Sequence, residues 1–261
     1  MFSVRSNEIS PFVVMQLLQR ASEYESAGKT VVHFEVGEPD FATAEPIVAA
    51  AQQAIAAGRT KYTSAQGIPE LRQKISGFYS NMGIEVAPDR VLITSGASGG
   101  LTLLALLLLD PNNELLITDP GYPCNDVFAR LVGARPRPIP VQAQNRFQPT
   151  MAEFSAAWTA QTRAALLASP ANPTGTMLPA DDLAAMAAYA AQHAGFLILD
   201  EIYQGLNHGP SIYPSGLAVR DDLFILNSFS KFFGMTGWRL GWVVVPPEAI
   251  ASTTKLAQNL F

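Results

Sequence analysis

Lys231 and Arg239 stand in a stretch otherwise poor in charge, Asn227-Ser-Phe-Ser-Lys-Phe-Phe-Gly-Met-Thr-Gly-Trp-Arg-Leu-Gly241. Apolar runs bound it on both sides, Leu223-Phe-Ile-Leu226 and Trp242-Val-Val-Val245. A lysine walled by Phe, Trp and Met loses hydration, so its ammonium form is disfavoured and a free amine becomes available. That amine is the nucleophile for Schiff-base chemistry with a carbonyl. Arg239 supplies a planar fork that suits a phosphate dianion. Ser228 and Ser230 add short hydroxyl donors beside it.

These side chains need elements to hold them. Short apolar runs recur at 91–94, 115–118, 137–141, 165–168, 196–199, 223–226 and 242–245, separated by longer, often amphipathic segments. Runs that are apolar throughout suit strands buried on both faces. Strands alternating with helices predict an α/β sheet, and ligands in such sheets gather beyond the carboxyl ends of the strands. The residues just after each run are therefore the ones to inspect.

Ser95-Gly-Ala-Ser-Gly-Gly100 follows the first run and opens a helix at 101–109. Its small residues let backbone N–H groups approach an anion, although an ordinary Gly-rich turn explains it equally well. It has neither the P-loop lysine nor the dinucleotide spacing. Tyr122, in Asp119-Pro-Gly-Tyr-Pro123, could lie against a flat heterocycle or simply pack. Asn172, in Ser169-Pro-Ala-Asn-Pro-Thr-Gly175, offers an amide donor in a segment that turn chemistry alone could explain. Asp200 ends the run Phe196-Leu-Ile-Leu199. A carboxylate there needs a partner; a protonated pyridine nitrogen would serve, and a helix cap is the plainer alternative. Glu201 is expected to face outward or to pair locally. Singly, each feature has an ordinary explanation. Together, in chain order, they supply a phosphate cradle, a stacking ring, a hydrogen-bond donor, a nitrogen partner and a Schiff-base lysine. Those are the handles of pyridoxal 5'-phosphate (PLP).

The Ser-x-Ser-Lys and Thr-Gly-Trp-Arg-x-Gly arrangement resembles the PLP-dependent aminotransferases of the aspartate aminotransferase type, class I/II and fold type I. The resemblance runs from the Gly37-Glu-Pro-Asp40 loop to residue 261. It implies a seven-stranded, mostly parallel sheet flanked by helices. It implies that Lys231 is the Schiff-base lysine and proton carrier, Asp200 the ring-nitrogen partner, and Tyr203 the donor to the cofactor's phenolic oxygen, with Asn172 beside it. Tyr122 matches the stacked aromatic; Ala97, Ser98, Ser228, Ser230 and Arg239 fall on the phosphate side. Gly37, Tyr122 and Asn172 fall at substrate-contacting positions. Tyr62 matches a tyrosine reaching the phosphate held by a neighbouring subunit, which implies a homodimer. The implied reaction is ping-pong transfer of an amino group from an L-amino acid to a 2-oxo acid, with no metal. A PLP-dependent β-lyase shares the same motifs.

The remaining chain reads as supporting structure. Helical spacing covers 11–27 up to Gly28, 46–57 up to Gly58, and a helix opened by Pro69. Val31-Val-His-Phe34 is a short extended piece. Residues 1–43 are expected to belong with a small domain, and 44–261 to form the cofactor-binding large domain.

Composition narrows the alternatives. The net charge of -5 leaves no electrostatic footprint for nucleic acid. Cys124 is the only cysteine, so no internal disulfide forms, which suits the cytoplasm. No signal-peptide core opens the chain, and the run at 101–109 is too short to span a bilayer. Gly96-Ala-Ser-Gly-Gly100 also fits Gly-x-Ser-x-Gly, with Asp200 and His208 following in the order of a serine hydrolase using Ser98. That leaves 227–241 unexplained. A non-catalytic sensor domain is disfavoured because no basic module precedes it.

Beyond Arg239 there is no further arginine, and only Lys255 carries positive charge. The family's substrate-carboxylate arginine lies in a small domain after the lysine. The expectation is therefore a fragment lacking its C-terminal small domain, binding PLP weakly and transaminating poorly or not at all.

Overall fold

A computed structural model describes residues 2–206 and 214–260. Seven strands form one sheet: β1 (Val91–Thr94), β2 (Glu114–Asp119), β3 (Arg135–Pro140), β4 (Thr162–Ala168), β5 (Phe196–Asp200), β6 (Phe224–Ser228) and β7 (Gly241–Val244). Their order is β1-β7-β6-β5-β4-β2-β3. β3, β2, β4, β5 and β6 run parallel, while β7 is antiparallel to both β6 and β1. The mostly parallel sheet expected from the sequence is present, and each apolar run became a strand.

The central strands are apolar throughout because helices cover both faces. One side centres on Leu167, Leu199, Ile225, Trp242 and Val244, packed with Leu183 and Met186. The other centres on Leu92, Leu166, Ile198, Leu226 and Val243, packed with Leu101, Leu104 and Ala257. The helices in chain order are α1 (Val4–Glu8), α2 (Val13–Ser26), α3 (Glu45–Ala56), α4 (Pro69–Ser80), α5 (Gly96–Leu108), α6 (Asn125–Leu131), α7 (Met151–Ala157), α8 (Ala180–Gln192) and α9 (Ile250–Leu260). Pro69 sits in the first turn of α4, where its missing N–H costs nothing. Thr150 and Glu153 form a capping box that starts α7.

Three details differ from the sequence expectation. α5 begins at Gly96, so the Gly-rich segment is the helix's own first turn. Val31–Phe34 lies in no strand. In α9, Leu256 packs against the core while Leu260 remains exposed; Phe261 is outside the described residues. Among described residues before 44, only Ala21 is buried. Among the described residues, no helix is long and apolar enough to cross a membrane.

Candidate active site

The residues singled out after each apolar run gather at the carboxyl ends of the parallel strands, and Tyr203 is their hub. Asp200 is the last residue of β5, and its carboxylate accepts the Ile202 N–H at 3.0 Å. No helix starts there, so Asp200 is not a helix cap. Only 8% of the residue is exposed, and no cation pairs with it among the described residues. Burial pushes its pKa up to about 6, against the Ile202 hydrogen bond. The turn after β5 brings Tyr203 beside the loop after β4, where Asn172 Nδ2 donates to Tyr203 Oη at 3.1 Å. Burial holds the Tyr203 hydroxyl above its ordinary range despite that bond.

Lys231 follows β6, and its Nζ lies 5.9 Å from the centre of the Tyr203 ring. The amine donates to the Gly37 carbonyl at 2.6 Å. Half-buried, it is pushed below the ordinary lysine value by burial, with the Glu38 charge opposing. Its apolar wall is open on one side, since Phe232 and Trp238 are each partly exposed. Tyr122, after β2, meets Phe12 edge-on with centroids 6.1 Å apart. Burial raises its hydroxyl pKa, followed by Cys124 and the charges of Tyr203 and Asp200. Cys124 and Phe12 were not anticipated as neighbours of this site.

The first turn of α5 faces Arg239. A Cβ placed on Gly96 would come 2.7 Å from an Arg239 guanidinium nitrogen, so the guanidinium lies directly against the helix start. Ser95 makes no capping bond, which leaves first-turn N–H groups without a side-chain acceptor. A helix N-terminus beside a guanidinium is an anion cradle. Arg239 is held there in a left-handed conformation, φ 55 and ψ 48. Its Nη1 donates to the Thr236 carbonyl at 3.0 Å. Gly241 permits the approach of α5 to β7: a Cβ there would lie 2.8 Å from the Gly96 carbonyl carbon. Ala97 is half-buried in this turn and Ser98 is exposed. Ser228 and Ser230 are both buried and hydrogen-bonded to each other at 2.8 Å, and Ser228 Oγ also donates to the Leu240 carbonyl.

Tyr62 and Glu201 lie outside this cluster. Tyr62 is fully exposed and joins none of these groups within the single chain. Glu201 does not face outward: it is completely buried and paired with Ser215 and Gly216. The hydrolase alternative has no support among the described residues. Ser98 lies within helix α5, while the left-handed residue of this turn is Gly96. His33 pairs with Glu25 and Glu35, His193 stacks on Tyr189, and His208 is outside the described residues.

The donor set thus comprises a desolvated amine, a buried carboxylate that lacks a cation among the described residues, a phenol with its amide partner, an aromatic ring and an anion cradle. This chemistry fits a small pyridine ring bearing an aldehyde and a phosphate.

Comparison with known proteins identifies relatives of this chain. The chain is 37% identical over 265 residues to a (5-formylfuran-3-yl)methyl phosphate transaminase of Methanocaldococcus jannaschii, covering 100% of this chain and 68% of the relative. It is 39% identical over 240 residues to a valine–pyruvate aminotransferase of Mycobacterium tuberculosis, covering 91% of this chain and 62% of the relative. Among solved structures, aspartate aminotransferase from Thermus thermophilus with maleate superposes with a TM-score of 0.93 at 31% identity, covering 99% of this chain and 68% of that one. The chain therefore spans about two thirds of the length of these relatives. The model of the family "Aminotransferase class I and II" matches residues 29–261, and the chain belongs to that family.

Proposed function

We propose that this chain is the cofactor-binding part of a PLP-dependent aminotransferase that moves an amino group from an L-amino acid to a 2-oxo acid. Asp200 carries the proposal: a buried carboxylate without a cation among the described residues, at the end of β5 and beside Tyr122 and Tyr203, the latter bonded to Asn172. Such a group is costly unless a ligand brings a positive partner, and a pyridinium N–H is that partner. Bound PLP supplies an aldehyde for the lysine and an electron sink for the bond to the substrate's α-carbon.

The chain's own residues do the rest. Lys231, lowered in basicity by burial, would hold the aldehyde through its amine and would carry a proton at Nζ. Arg239 and the first turn of α5 would hold the phosphate. Ala97 and Ser98 lie in that turn, while Ser228 and Ser230 brace the lysine loop through their mutual bond. Tyr203, oriented by Asn172, would donate to a phenolic oxygen, and Tyr122 would cover one face of the ring. Gly37 and Asn172 border the substrate. The exposed ring of Tyr62 is free to reach a second subunit, which favours a homodimer. Residues 1–43 go with a small domain and 44–261 form the large domain; the setting is cytoplasmic. The relatives are named for different substrates, so the substrate is proposed only as a class.

Reconstitution with PLP tests this. A visible chromophore whose formation is abolished by Lys231→Ala is expected; identical spectra for both proteins would overturn the proposal.

A further inference from the structure

Glu201 is a completely buried acid that takes no part in the chemistry above. It directly follows Asp200 and points into the core on the side of Leu199 and Leu217 rather than into the site. Its carboxylate accepts the Gly216 N–H at 2.6 Å and the Ser215 hydroxyl at 3.0 and 2.9 Å. Ser215 is equally buried, and its Oγ also accepts the Leu217 N–H. The Glu201 N–H donates to the Leu226 carbonyl at 2.8 Å, continuing the β5–β6 pairing one residue beyond the strand. Gly216 fits because it has no side chain: a Cβ there would stand 2.5 Å from Leu199 Cδ2 and 3.4 Å from the Glu201 carboxylate. Among the described residues, no cation pairs with Glu201.

A buried carboxylate without a cation is an expensive way to fasten a loop, because an amide or an apolar contact avoids the desolvation cost. What it secures explains its place. Asp200 lies immediately before it and Tyr203 two residues after, and both reach the site. The Ser169 N–H binds the Asp200 carbonyl at 3.0 Å from one side, and Glu201 grips 215–216 from the other. The peptide bearing both functional side chains is thereby fixed at consecutive residues.

We infer that Glu201 is a positioning residue: by fastening Ser215 and Gly216 to the end of β5, it sets the direction in which Asp200 meets a ring nitrogen and Tyr203 meets a phenolic oxygen. This rests on the PLP reading above, and the experiment separates the two. Wild type, Glu201→Gln, Glu201→Ala and Ser215→Ala are reconstituted with PLP. Cofactor affinity, visible circular dichroism and the pH midpoint of the bound chromophore are measured, with far-UV circular dichroism reporting the fold. Glu201→Gln keeps an acceptor for the Gly216 N–H and should remain within about threefold of wild-type affinity with an unchanged midpoint. Glu201→Ala should lose roughly tenfold or more in affinity and shift the midpoint, because Asp200 and Tyr203 govern the chromophore's protonation. In the Asp200→Asn background the same change should shift the midpoint less than in wild type, through Tyr203 alone. Should Glu201→Ala fail to fold, Ser215→Ala decides, and its midpoint should move in the same direction. A folded Glu201→Ala with wild-type affinity and midpoint overturns the inference alone, as does an unmoved Ser215→Ala where Glu201→Ala is unfolded. A wild-type chain that forms no chromophore overturns the PLP reading and this inference with it.

Discussion

Lys231 Nζ donates a 2.6 Å hydrogen bond to the carbonyl oxygen of Gly37, which ties the N-terminal segment to the loop after β6. Thr43 strengthens the connection: it donates to the Gly234 carbonyl at 2.8 Å and accepts from Trp238 Nε1 at 3.0 Å. Segment 37–43 is thus bound to the lysine loop at both ends. Two opposing effects act on the amine, since burial lowers its pKa while the Glu38 charge raises it. Glu38→Gln should therefore make Lys231 more reactive at a given pH. The pH profile of Lys231 acylation, read by peptide mass spectrometry, should move to lower pH. An unmoved profile would show that Glu38 does not act on the amine.

Stability of the chain without cofactor should fall as pH rises through neutrality. Burial lifts Asp200 from 3.8 to about 6 and Glu201 from 4.5 to about 7. Between the unfolded and folded values the native chain binds more protons than the unfolded one. The contribution is fully present below about pH 4 and is lost as pH passes 6 and then 7. Asp200→Asn should remove its share, raising stability at pH 8 by about 3 kcal/mol and leaving it little changed at pH 4. Urea midpoints at the two pH values give the comparison. A gain of equal size at both would point to packing instead of charge.

In the whole enzyme the same substitution should act oppositely on function. On the proposed reading, Asp200→Asn replaces the carboxylate partner of a protonated ring nitrogen with a neutral amide. Because the phosphate cradle is untouched, cofactor retention should change little while kcat falls by about 10²–10³-fold. Equal turnover in the variant would make Asp200 purely structural.

Gly241 should tolerate no side chain. An added Cβ would meet the Gly96 carbonyl carbon at 2.8 Å, the Asn227 carbonyl oxygen at 2.9 Å and the Ala97 nitrogen at 3.1 Å. All three are backbone atoms and cannot swing aside. Gly241→Ala should cost about 1–3 kcal/mol in urea unfolding and should weaken phosphate-dependent binding by pushing α5 away from Arg239. Full retention of both would mean that α5 shifts freely.

The strands and much of the site were legible because both follow local rules. Asp200 and Asn172 stand out because each follows a short apolar run that alternation with longer amphipathic segments marks as a buried strand, and Lys231 because it sits among aromatics. Strand direction was less legible: Trp242–Val245 reads like the other runs, yet β7 is antiparallel to β6, and residues 229–240 between them hold one 3-10 turn and no crossover helix. Glu201 was misplaced in part because its acceptor role depends on Ser215 and Gly216, which approach it only in the fold. The Lys231–Gly37 and Thr43–Trp238 bonds join residues far apart in sequence, and no periodicity signals such pairs. Tyr62 was singled out by family resemblance, and the single chain leaves it in solvent.

The most direct measurement is borohydride reduction of the chain after incubation with PLP, followed by peptide mapping. The account predicts a single stable pyridoxyl modification, on Lys231, with its yield reduced in Arg239→Ala because the phosphate is then poorly held. Modification spread over exposed lysines such as Lys61 and Lys74, or concentrated on any lysine other than Lys231, would contradict the assignment of this site.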